Sequence, residues 1–63
     1  MDPRTLVEMQ IALSAENRRL TSICLDMMEQ EPSDDREEAL TLINSAIDNV
    51  NTAIVVIIQM RKI

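Results

Sequence analysis

The residues able to do chemistry are few: one thiol at Cys24, eleven carboxylates, six cationic side chains, and scattered hydroxyls and amides. Histidine is absent, and one Cys cannot supply a ligand set. An ordinary zinc site, a Ser-His-Asp triad and a Cys-His pair are therefore out of reach. Without glycine the chain cannot form the tight phosphate-cradling loops or dinucleotide fingerprints that need positive φ and close backbone approach. Without Phe, Tyr or Trp it has no platform on which single-stranded bases could stack. Carboxylates alone can do general acid–base work, but only inside a pocket that holds a substrate. The expectation is a non-enzymatic protein with no cofactor and no metal.

Three clusters remain to be weighed. Asp26, Glu29, Glu31, Asp34, Asp35, Glu37 and Glu38 form an acidic patch relieved only by Arg36. Such a patch usually keeps a turn solvated; its functional alternative is mimicry of nucleic-acid phosphates towards a basic partner. Arg18 and Arg19 are the one place where phosphate contacts could be imagined. A net charge of −5 and the lack of a basic run argue against nucleic acid, and pairing with Glu16 or Asp26 is the expected fate of these side chains. Cys24 lies between Ile23 and Leu25 with no neighbouring His or Lys to activate it, so a buried, inert thiol is expected.

The elements that must position these residues follow from punctuation and periodicity. Pro32 divides the 63 residues nearly in half, and neither half has an internal helix breaker. Asp2-Pro3 suits a helix start, with Asp as the cap and Pro at the first helical position. Glu31, preceding Pro32, is biased away from the helical region. Ser33 or Asp34 can cap a second helix, Asp34 with Glu37 having capping-box spacing. The acids at 34, 35, 37 and 38 then face the positive end of its dipole. Two helices, about 3–30 and 34–62, joined by a tight connection make an all-α antiparallel hairpin and a single domain over 1–63.

In the second helix Leu40, Ile43, Ile47, Val50, Ile54 and Ile57 alternate spacings of three and four, which is a heptad seam. Ala39, Ala46 and Ala53 run beside it every seventh residue, with Met60 next in line. In the first helix Leu6, Leu13, Leu20 and Met27 also lie seven apart, and Met9, Glu16, Ile23 and Gln30 are expected to complete a weaker seam. The positions that are polar up to Thr52 turn apolar from Ala53 onward, at Val55, Val56 and Ile58. A helix apolar nearly all round is normally covered on several sides. Val7 and Ile11 of the first helix lie at the same end, so these five residues are expected to form a contact surface, for a second copy or for a partner protein. Met9, Met27, Met28 and Met60 are expected to fill gaps in the core.

Ordering so short a chain costs about 1.5 kcal/mol per residue, which burial in a lone domain of this size only about balances. With neither a disulfide nor a metal to help, oligomerisation is the remaining staple. In length and hairpin plan the chain resembles the plasmid repressor-of-primer family, in which two hairpins form an antiparallel four-helix bundle. That likeness implies a homodimer of the same plan. The RNA-binding activity of that family does not carry over, because the basic and aromatic face it needs is missing here.

The expected product is a small acidic interaction module that binds itself and another protein as a regulator or inhibitor, of the kind phages and mobile elements encode. The alternatives are nucleic-acid binding through Arg18 and Arg19, or DNA mimicry by the acidic turn. The N-terminal segment, with its early acid and mixed polar residues, does not read as a signal peptide. The longest apolar run, Ala53 to Ile58, is far shorter than the roughly 20 residues of a bilayer span. A cytoplasmic location, host cytoplasm for a phage or viral product, and no membrane span are therefore expected.

Overall fold

The computed structural model describes residues 2–62 and contains two helices, α1 (Pro3–Met28) and α2 (Asp34–Arg61), packed against each other as a hairpin. The cross-helix hydrogen bonds fix the antiparallel sense. Asn17 bonds Asn51, Cys24 approaches Asn44, and Gln10 near the start of α1 accepts from Arg61 at the end of α2.

Local chemistry explains where each helix begins and ends. The Asp2 carboxylate accepts from the Arg4 N–H at 2.9 Å, with Pro3 opening α1. The last turn tightens: the Glu29 and Gln30 N–H groups donate to the carbonyls three residues back, at 3.2 and 3.1 Å. Such bonds satisfy carbonyls that a helix end leaves without partners. α1 thus stops two residues before the expected Gln30, because the chain must already turn to enter the extended backbone ahead of Pro32. Ser33, not Asp34, caps α2: its hydroxyl accepts from the Arg36 N–H at 3.0 Å and its carbonyl from the Glu37 N–H at 3.1 Å. Glu37 then falls one position too late for a capping box. Asp34, Asp35 and Glu37 in the first turn and Arg61 in the last complement the α2 dipole.

The inner face of α2 is formed by Leu40, Ile43, Ile47, Val50, Ile54 and Ile57, all half-buried, with Ala39, Ala46 and Ala53 half-buried beside them. On α1 the covered positions are Leu6, Gln10, Leu13, Asn17, Leu20, Cys24 and Met27, with Val7 and Ser14 half-buried beside them. The seam therefore continues from each apolar residue by a step of four, then three. The expected partners Met9, Glu16, Ile23 and Gln30, which follow by a step of three, are exposed instead. Both steps reach a neighbouring position on a helix, so spacing alone does not choose between them. Polar pairing does: Gln10 and Asn17 find partners on α2, which the apolar Met9 and Ile23 do not need.

The molecule measures 46 × 14 × 12 Å and its radius of gyration is 14.7 Å, against about 11 Å for a compact chain of 63 residues. Two helices side by side leave nearly every residue open on at least one flank. Among the described residues only Leu6, at 5% exposure, is buried.

Candidate interaction surfaces

Because both helices are right-handed and run in opposite directions, positions just after a seam residue lie on one broad side of the hairpin. Positions just before a seam residue lie on the other. The following side carries Val7, Ile11, Ser14, Arg18, Thr21 and Leu25 of α1, with Asn44, Asp48, Asn51, Val55 and Ile58 of α2. Its centre is a polar belt, and its apolar residues collect at the ends. The preceding side carries Met9, Ala12, Glu16, Arg19 and Ile23 of α1, with Ala39, Leu42, Ala46, Asn49, Ala53 and Val56 of α2. Its α2 half is apolar except for Asn49, whereas its α1 half, which also includes Thr5 and Asp26, is mixed. Met60, just before Arg61, extends it.

Nine large apolar side chains stay exposed among the described residues, led by Leu42 at 63% and Ile11 at 62%. Met9, Ile23, Leu42, Val56 and Met60 belong to the preceding side; Ile11, Leu25, Met28 and Val55 lie on or next to the following side. The five residues expected to make one contact surface therefore divide. Val7, Ile11, Val55 and Ile58 share the following side at the end that holds both termini, with Val7 and Ile58 half-covered by the hairpin itself. Val56 points the other way, since neighbouring positions on a helix are about 100° apart.

The seam between these faces is itself partly polar. Asn17 Nδ2 donates to Asn51 Oδ1 at 2.7 Å, while the buried Asn17 Oδ1 has no hydrogen-bond partner. Cys24 is half-buried, with its Sγ 3.9 Å from Asn44 Oδ1. Asn17 was not legible as a seam residue because amides are ordinarily surface residues, and Cys24, expected buried, is only half-covered. The step-of-four pattern from Leu6 through Cys24 was the available signal.

Arg18 and Arg19 do not form a common basic face. Arg18 is exposed on the following side; Arg19 lies on the preceding side and pairs with Glu16 at 3.7 Å. That exposed pair contributes little to stability. Asp26, Glu29, Glu31, Asp34, Asp35, Glu37 and Glu38 are all exposed at the turn end. Among the described residues no group of three or more carboxylates or thiols converges as a metal ion would require. A shallow, open depression beneath the turn is lined by Met27, Gln30, Pro32, Arg36 and Ala39. Glu31, Ser33 and Asp35 also line it.

By length and composition α2 qualifies as a membrane-crossing helix, with an 18-residue window of mean hydropathy 1.5. A count of uninterrupted apolar residues misses this, because averaging tolerates the polar residues at 44, 45, 48, 49 and 51. No protein-family model, curated protein or solved structure matches the chain.

Proposed function

We propose that the hairpin is the protomer of a homo-oligomeric helical bundle, most simply a dimeric four-helix bundle, and that the assembly is a small acidic, non-enzymatic interaction module regulating or inhibiting a partner protein. The observation that carries this reading is the burial pattern: among the described residues one is buried, while nine large apolar side chains stay exposed. Each such side chain gains about 1.5–3 kcal/mol when covered. A surface of this kind in water is a contact surface or an aggregation liability.

In this reading α2 is covered by protein, not lipid, and the module works in the cytoplasm. Asp48 among Asn44, Asn49 and Asn51 would sit near the middle of any span, where one Asp costs about 2.5–3.5 kcal/mol. Nucleic acid is not the partner, since Arg18 and Arg19 diverge and the turn end is strongly acidic.

The experiment replaces Ile11 and Val55 together with Lys, both exposed in the hairpin, and captures partners from the producing cell with native and variant chains. The expected result is a stoichiometric protein held by the native chain and lost by the variant, with the variant's oligomer intact. A partner retained by the variant, or none held by the native chain, contradicts the docking role.

A further inference from the structure

We propose that a second copy of this chain covers the preceding side of the hairpin, in an antiparallel arrangement whose two-fold axis passes near Asn49 of α2. This inference rests on the self-assembly read above and names its face and register.

Area sets the scale. The hairpin exposes 4915 Å², whereas a compact monomer of 7.2 kDa exposes about 4,100 Å². The excess, about 800 Å², is what each partner buries in an interface of standard size. A face running the 46 Å length of the hairpin supplies it.

Shape and charge choose between the two faces and between the two directions. On the preceding side of α2, rotation about Asn49 brings Ala46 opposite Ala53 of the second copy and Leu42 opposite its Val56. Small residues thus meet small ones near the axis and large ones meet further out, so the helices can approach closely. The same axis crosses α1 at the height of Arg19, as the Asn17–Asn51 and Cys24–Asn44 contacts fix, so each Arg19 stands within one turn of Glu16 of both copies. A two-fold interface must match itself in this way.

The following side fails the same test. Rotation there sets Asp48 against Asn51 of the second copy and Asn44 against its Val55, so a carboxylate and amides would fill the centre of the interface. Direction follows from the ends. An antiparallel pair lays the acidic turn, Asp35 and Glu38 included, beside Arg61 and Lys62 of the second copy, whereas a parallel pair stacks the two acidic turns. The α1 residues misplaced by a step-of-three reading, Met9 and Ile23, then belong to the interface between copies.

Single cysteines test face and register together. With Cys24→Ser as background, Asn49→Cys and Asp48→Cys place thiols at one height along α2 but on opposite sides. A disulfide forms only where the two Cα atoms come within about 7 Å. Under mild oxidation Asn49→Cys is expected to yield a covalent dimer while Asp48→Cys stays monomeric on a denaturing gel. Sedimentation equilibrium of the reduced variants provides the second readout. Reduced oligomers in which Asp48→Cys links, or in which Asn49→Cys does not, overturn this face or register and leave self-assembly standing. A folded reduced monomer overturns both.

Discussion

Asn17 is the residue at which the seam departs furthest from what apolar packing alone would choose. Its amide donates to Asn51, yet its Oδ1 is buried without a donor. An unsatisfied buried acceptor costs about 1–3 kcal/mol, while the bond it accompanies returns only about 1 kcal/mol. Asn51 is exposed, so water can take over its carbonyl if Asn17 is removed. Asn17→Leu is therefore expected to raise thermal stability by about 1 kcal/mol or more, measured by urea or thermal unfolding. A clear loss of stability would mean that the amide pair contributes more than its orphaned oxygen costs. The same substitution should loosen pairing specificity, since a single amide in an apolar seam fixes register. None of this polar layer was visible in a hydropathy pattern. Its partners lie 34 and 51 residues apart along the chain, and only the folded hairpin identifies them.

At the scale of elements, the two helices, their antiparallel sense and the α2 seam were legible in the sequence, and for physical reasons. Pro32 and the two capping sites punctuate the chain, and β-branched residues recur with the helical period. Two details were not legible. The α2 start was ambiguous because Ser33 and Asp34 both cap well, and the Ser33–Arg36 bond decides it. Ser33→Ala is expected to cost about 1 kcal/mol, and Asp34→Asn only a few tenths, in chemical unfolding. Equal losses would return the cap to Asp34. The α1 seam was misread at Met9, Glu16, Ile23 and Gln30 because steps of three and four are equally good neighbours on a helix. On α2 no such ambiguity exists. Val50→Asp should abolish the helical circular-dichroism signal by placing an unpaired charge in the seam, whereas Thr52→Asp on the outer face should not. Survival of the Val50→Asp fold would remove that position from the seam.

The whole molecule is an elongated pair of helices with too little interior to account for its own order. Leu6 alone is buried among the described residues, and the surface in excess of a compact chain's is about what each partner buries in one standard interface. The candidate surfaces were legible in part. The change at Ala53 drew attention to the end holding the termini, but sequence order hid that Val55 and Val56 face opposite sides. It also hid Leu42, whose neighbours on its own face are Ala39 and Ala46, not the residues adjacent in the chain.

A dimer whose ends attract should weaken as salt rises, because at 1 M the screening length is about 3 Å. Sedimentation equilibrium at micromolar concentration, with circular dichroism on the same samples, addresses the central claim directly. The account predicts a helical species of at least twice the 7.2 kDa chain mass, losing helicity on dilution as it dissociates. A helical, cooperatively folded species at 7.2 kDa would contradict it.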